Sequence, residues 1–243
     1  MNDLLLIAAP AKGKKDHIMS LKEKLDAMRA DKEEGRIFPP NVVAQMHKST
    51  AELVASGQAE RALKAGDLAP GFVLPDANGA PVSSRELLAS GPLVLTFYRG
   101  IWCPYCNLDL QALEDVAPRI RALGATLAAV SQQTAPNSRK SQADNNLSFP
   151  IFTDRGGETG AAFGIRFRLQ DDLVELYKRL KVDLAIINGE PSWTLPMPAR
   201  YVIGQDGVIV YAEVNPDYTR RPEPDELLPV LECLLEHARP RTD

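Results

Sequence analysis

The stretch Pro92-Leu93-Val94-Leu95-Thr96-Phe97-Tyr98-Arg99-Gly100-Ile101-Trp102-Cys103-Pro104-Tyr105-Cys106 decides the fold. Pro92 to Tyr98 is strongly apolar and does not alternate with polar residues, the pattern of a strand buried on both faces. Pro104 suits the first turn of a helix. Leu108, Leu110, Leu113, Val116, Ile120 and Leu123 then supply its apolar side, Pro118 is expected to kink it, and Gly124 stops it. Cys103 and Cys106 therefore lie between a buried strand and the start of a long helix. A helix start presents unpaired N–H groups and a positive dipole end. Both favour thiolate over thiol, and cysteines so placed have pKa values of roughly 3.5–7.5. The i, i+3 spacing sets both sulfurs on one helical face, where a disulfide can close.

The pair admits two other readings. Paired cysteines can be small buried hydrophobes, or half of a zinc site, which needs four ligands. Cys233 and the three histidines (His17, His47 and His237) show no ligand spacing, so neither a metal nor another cofactor is expected. Cys233 lies among Leu227, Leu228, Val230, Leu231, Leu234 and Leu235 and reads as core filler, with a distant resolving cysteine as the sharper alternative. Trp102 either packs beside the turn or shapes the approach of a substrate.

Toward the N-terminus, Phe72-Val73-Leu74 and Val82 flank Asp76-Ala77-Asn78-Gly79, a hairpin signal. Ser84 is expected to cap a short helix over 86–89. Ser20-Leu21-Lys22-Glu23 is a capping box that opens a helix to about Ala30, with Leu21, Leu25 and Met28 as its stripe. A second helix from Asn41 carries Val42, Val43, Met46, Leu53 and Val54, Gly57 closes it, and 59–64 adds another turn or two. Residues 1–63 thus form a helical N-terminal extension, too small for a core of its own. It must pack on the rest of the chain or on a second copy, as in a homodimer. Met19-Ser20-Leu21 reads as an alternative start, which makes the first 18 residues a disordered extension.

Toward the C-terminus, strands are expected at 125–130 and 149–152, and helices at 138–145 and 158–163. Residues 166–197 read as an insertion with one helix near 171–180 and an irregular remainder. Tyr201-Val202-Ile203 and Val208 to Val214 pair across Gln205-Asp206-Gly207, and a helix over 225–237 closes the chain. Strand, helix and strand in succession imply parallel pairing with right-handed crossovers. The fold class is α/β, with the domain at 64–243.

Composition narrows the function classes. The 243 residues carry a net charge of −4, which argues against nucleic-acid binding. No apolar run approaches the ~20 residues of a membrane span. Leu4-Leu5-Leu6-Ile7 follows acidic Asp3, and its lysines (Lys12, Lys14, Lys15) come after it, the wrong order for a secretory signal. A cytoplasmic location is expected. Three cysteines make no secreted disulfide framework, so the close pair reads as redox chemistry.

The residues also resemble a family. Gly66-Asp67-Leu68-Ala69-Pro70-Gly71-Phe72-Val73-Leu74-Pro75 resembles the opening of the peroxiredoxin domain, and Phe97 to Cys106 resembles its peroxidatic segment. The resemblance covers roughly 64–238 and implies a thioredoxin-like fold with peroxiredoxin additions. Peroxiredoxins carry Phe-Tyr-Pro, a Thr four residues later and the peroxidatic Cys three after that. Laid on without gaps, that Cys falls on Cys106, the Thr on Cys103 and the Pro on Arg99. The family's active-site Arg falls on Pro198, with Arg200 two residues later on the same strand face.

These departures point toward thioredoxins and glutaredoxins, whose Trp-Cys-x-x-Cys and Pro-Tyr dipeptide match Trp102 to Cys106. Thioredoxin-like proteins place a cis-proline before the strand facing the disulfide, and Pro198 fits that place. A cis Met197–Pro198 bond is expected, against an ordinary trans proline at a strand entrance.

The sequence is thus similar to the peroxiredoxin-like (AhpC/TSA, redoxin) branch with a thioredoxin-type motif. The resemblance implies a thiol-based antioxidant oxidoreductase that reduces hydroperoxides through a Cys103/Cys106 dithiol–disulfide cycle. An outside thiol donor of thioredoxin, glutaredoxin or glutathione type would reset it. By the thioredoxin pattern Cys103 attacks, and by the peroxiredoxin pattern Cys106. Trp102, Tyr105, Pro198 and Arg200 are the candidate substrate-binding residues. The alternatives are a disulfide reductase and a redox-sensing interaction module in which the N-terminal helices respond to the disulfide.

Overall fold

A computed structural model describes residues 19–238. Its helices are α1 (Leu21–Glu33), α2 (Pro40–Ala55), α3 (Ser84–Ser90), α4 (Pro104–Ala122), α5 (Ala135–Asp144), α6 (Glu158–Ala162), α7 (Asp171–Arg179), α8 (Leu184–Asn188) and α9 (Leu227–Ala238). Its strands are β1 (Val73–Pro75), β2 (Pro81–Ser83), β3 (Leu93–Phe97), β4 (Thr126–Ser131), β5 (Ile151–Thr153), β6 (Arg166–Arg168), β7 (Thr194–Pro196), β8 (Ala199–Ile203) and β9 (Ile209–Val214).

The apolar run around Leu95 is the middle strand of a five-stranded sheet ordered β5-β4-β3-β8-β9. β3, β4 and β5 run parallel, and β8 and β9 add antiparallel neighbours, with Leu95 opposite Tyr201 and Thr96 opposite Arg200. Because side chains alternate along a strand, β3 serves two cores. Val94 packs with Leu21 and Leu25 of α1, Leu110, Leu113 and Ile120 of α4, and Leu227 and Leu231 of α9. Leu93, Leu95 and Phe97 face the other side, with Phe72, Leu74, Phe152, Phe163 and Tyr201. That double burial is why the strand lacks a polar phase.

The capping box of α1 forms, and the helix runs three residues beyond Ala30. Glu223 accepts from the Leu21 and Lys22 amides, at 3.3 and 2.7 Å, and so ties the start of α1 to the C-terminal region. α2 joins a third apolar cluster, in which Val42 and Met46 meet Leu173, Val174, Leu176 and Tyr177 of α7, together with Leu184, Trp193 and Leu195. Both N-terminal helices therefore pack on the rest of the chain. No described helix is long and apolar enough to cross a membrane.

Several local expectations are corrected. Ser83, not Ser84, caps α3 through its side chain, because Ser84 Oγ is occupied in accepting from the Phe72 amide. Residues 59–64 supply only a short 3-10 turn at Ala59–Arg61. The second half of the 166–197 segment is ordered into α8 and β7, and β7 pairs with β6. Pro118 lies inside α4 without ending it. Residues 1–18, with His17 and the expected disordered extension, lie outside the described residues.

Candidate active site

Cys103 is the N-cap residue of α4, with Pro104 at its first position. The preceding loop is fastened at both ends. The Cys103 amide donates to the Gly100 carbonyl at 3.1 Å, and the Ile101 amide donates to Gln133 Oε1 at 2.8 Å. Asn107 Nδ2 donates back to the Ile101 carbonyl at 2.9 Å. Gly100 has φ +138°, and a Cβ there would lie 2.7 Å from Trp102 Nε1. Glycine is required at this turn, and the turn sets the tryptophan against the motif.

The two sulfurs are free thiols 2.9 Å apart, with the Cys106 S–H donating to Cys103. Both are buried, at 1% exposure for Cys103 and 0% for Cys106. Burial opposes the Cys103 thiolate, but the bond from Cys106 and the charges of Arg99 and Arg221 outweigh it and bring its pKa down to about 6. Cys106 moves the opposite way. Burial, the bond it gives to Cys103 and that sulfur's charge push its thiol well above the ordinary value. The environment thus separates one ready thiolate from one retained thiol.

Two guanidiniums face the pair, and a third stands behind them on Asp109. Arg99 lies between the rings of Trp102 and Tyr218, its Cζ 4.7 and 4.1 Å from their centroids, and its Nη2 donates to the Tyr177 hydroxyl. Among the described residues it forms no ion pair with a carboxylate, so the thiolate supplies its countercharge. Arg200 from β8 hydrogen-bonds Asp109, one helical turn after Cys106, and the Pro222 carbonyl. Arg221 also holds Asp109, Nε to Oδ2 at 3.3 Å, and its Nη2 reaches Cys106 Sγ at 3.4 Å.

The structure places Cys103, Cys106, Trp102 and Tyr105 in one cluster. Trp102 stacks edge-on to Tyr177 at 5.4 Å, and Tyr105 edge-on to Tyr218 at 5.7 Å. Pro198 lines a cleft with Arg99, Tyr177 and Tyr218, and on its other side a second cleft with Asp109, Arg200 and Arg221. The expected cis bond is absent: no cis peptide occurs among the described residues. Met197 and Pro198 instead continue the extended path from β7 into β8, with the Met197 amide donating to Ile165 and the Pro198 carbonyl accepting from Asn215. Arg200 lies on the expected strand face, but its hydrogen bonds go to Asp109 and Pro222 rather than to sulfur. Cys233 is exposed rather than core filler. Leu227, Leu228 and Leu231 take the buried face of α9, and Cys233, two positions after Leu231, falls on the opposite side.

Sequence reasoning missed Arg99, Arg221, Asp109, Tyr177 and Tyr218 as parts of the site. Arg99 carried a signal, being a lone cation between the buried strand and the cysteines. Arg221 and Tyr218 lie far along the chain in a loop without periodicity, and nothing local marks them.

The comparisons with known proteins agree with this geometry. A Mycobacterium tuberculosis protein that carries a peroxiredoxin name is 29% identical over 104 residues, which is 43% of this chain and 68% of that one. The thiol-disulfide oxidoreductase ResA of Halalkalibacterium halodurans is 34% identical over 110 residues, 44% of this chain and 61% of its own. The crystal structure of peroxidoxin BcpB from Mycobacterium tuberculosis superimposes with a TM-score of 0.56 at 21% identity, covering 73% of this chain and 99% of that one. The α/β fold is therefore that of the peroxiredoxin and thioredoxin group. The model of the AhpC/TSA family matches residues 65–212, the hairpin, the cysteine segment and the central sheet together, and the chain belongs to that family.

Proposed function

We propose that this protein is a thiol peroxidase in which Cys103 attacks the hydroperoxide and Cys106 resolves the product. The observation that carries the assignment is the asymmetry of the pair: Cys103 receives the hydrogen bond and lies beside Arg99, whereas Cys106 gives it. The Cys103 thiolate attacks the terminal oxygen of ROOH. The O–O bond breaks, RO⁻ leaves and takes a proton to become ROH, and Cys103 becomes a sulfenic acid. Cys106 then loses its proton and attacks that sulfur. The S–S bond forms and the hydroxyl leaves as water. An external dithiol returns two electrons by thiol–disulfide exchange.

Burial of Cys103 supports a small substrate over a protein disulfide, since a sulfur 1% exposed admits a few atoms after a local opening more easily than a polypeptide. The disulfide-reductase reading is favoured by the Cys-x-x-Cys itself and by the ResA relative. Of the candidate substrate-binding residues, Trp102 and Tyr105 wall the thiols and Pro198 separates the Arg99 side of the site from the Arg200 side. Arg200 acts through Asp109.

The test is single-turnover oxidation of reduced protein by one equivalent of hydrogen peroxide or an organic hydroperoxide, with a sulfenic-acid trap and mass spectrometry. Cys106→Ser is expected to carry the label on Cys103, and Cys103→Ser to lose fast peroxide consumption. Wild type that reacts no faster than free cysteine would sink the peroxidase reading, and insulin reduction with a thioredoxin-type donor would then support the reductase.

A further inference from the structure

We infer that Arg221, fastened by Asp109, is the residue that activates Cys106 for the resolving step. The inference takes Cys103 as the attacking thiol, as above. Arg221 lies in the loop between β9 and α9, outside the family match, yet its side chain is 5% exposed and reaches both Asp109 Oδ2 and Cys106 Sγ. Asp109 stands three residues after Cys106 on α4 and is itself buried at 2%. Arg200 takes its other oxygen. One carboxylate therefore orients two guanidiniums, and one of the two is delivered to sulfur. Two guanidiniums share this single carboxylate, and that of Arg221 also reaches the sulfur.

The resolving step needs that contact. In the reduced pair Cys106 keeps its proton because it donates to Cys103 and faces that sulfur's negative charge. Oxidation of Cys103 to a sulfenic acid or a mixed disulfide removes both effects at once. Arg99 and Arg221, which already favour the Cys106 thiolate, are then left without a competing anion. Arg221 alone of the two is in hydrogen-bond contact with Cys106. Its planar guanidinium offers a fixed N–H donor to the sulfur as the proton leaves. The charged or titratable groups around Cys106 are Cys103, Arg99, Arg221, Asp109 and Tyr98. The order of events follows: Arg99 serves the first thiolate and Arg221 the second.

The experiment uses full-length reduced protein carrying Cys233→Ser, which removes the exposed third thiol, and 4,4′-dithiodipyridine, which needs no peroxide. Attack by Cys103 releases one thiopyridone and leaves a mixed disulfide. Attack by Cys106 on that disulfide releases the second thiopyridone and closes Cys103–Cys106. Arg221→Gln is expected to slow the second release by about 10- to 100-fold, the loss of one hydrogen bond to a charged group, and to move its pH midpoint upward. The first release is expected to change less. Arg221→Lys should restore part of the second rate, because it keeps the charge. Asp109→Asn should shift the same midpoint while Arg221 is still present, the signature of a positioning residue. With peroxide, Arg221→Gln should raise the yield of trapped Cys103 sulfenic acid. An unchanged second phase in Arg221→Gln, or two phases slowed equally with no movement of the pH midpoint, overturns the inference. Cys233→Ser protein that resolves dithiodipyridine in this way but ignores peroxide leaves the inference standing and removes the peroxidase reading instead.

Discussion

At the residue scale, the site depends on where one proton sits. Cys103 and Cys106 have the same side chain and are buried alike, and only their neighbours differ. Cys103 receives an S–H bond and two guanidinium fields, which move it from its ordinary 9.0 to about 6. This has a consequence for stability. Between these values the folded state holds the thiolate while the unfolded chain holds the thiol, so the unfolded state binds more protons and stability rises with pH. The contribution is fully present above the unfolded value and is lost as pH falls through about 6. Urea midpoints of the reduced protein, measured from about pH 5 to about pH 9, are expected to climb relative to those of Cys103→Ser. A constant difference between the two curves would show that Cys103 is not a native thiolate. The same titration should appear as a rise in the rate of peroxide attack.

At the element scale, the junction of β3 and α4 does most of the positioning. The strand ends at Phe97 and the helix begins at Pro104, and the six residues between them must reverse the chain while holding Trp102 over Arg99. Gly100 makes this feasible with its positive φ and its missing Cβ. Gly100→Ala would place a methyl against the indole and force a conformation unfavourable for an L-residue. The expected cost is about 1–3 kcal/mol, read as a lowered urea midpoint, together with a shift of tryptophan emission and a slower first thiopyridone release. Unchanged emission and rate would show that this turn does not set the Trp102 position. The strand and helix themselves were legible from composition, because a doubly buried strand needs an unbroken apolar run and α4 needs an apolar stripe. The turn between them was legible only as a motif. The ordered half of the 166–197 segment was not legible, because β6 and β7 are three residues each and form only by pairing with one another.

At the scale of the whole molecule, the N-terminal helices are part of the packed structure. α1 covers α4 through Leu21 and Leu25, and α2 covers α7 through Val42 and Met46. Glu223 holds the α1 start, and Lys32 lies 5.8 Å from the ring of Tyr218, the residue that also stacks on Arg99. Loss of α1 would expose apolar surface of α4 directly beside the thiols. The milder change Ser20→Ala removes one half of the capping box and should cost about 0.5–2 kcal/mol. Hydrogen exchange should then quicken in α1 and in the facing part of α4, and protection unchanged in both would show that α1 is held by packing alone. The exposed side of α9 belongs to the same scale. The leucines around Cys233 in the sequence point to core, yet α9 buries one stripe and Cys233 lies off it.

The central strand, the helix that follows, the capping box of α1, the hairpin over 72–82 and the place of Cys103 and Cys106 at a helix start are legible in the sequence alone. These are local consequences of hydrophobic period, turn chemistry and helix-end electrostatics, and each can be read within about twenty residues. The different surroundings of the two thiols, the arrival of Arg99 and Arg221 beside them with Arg200 on Asp109, and the trans Pro198 appear only in the folded chain. Charge at a buried atom depends on every group folded against it, and Cys106 meets Arg221 across 115 positions of chain. The pair Cys103–Cys106 was visible at first reading, and the guanidiniums that tell its two members apart were not.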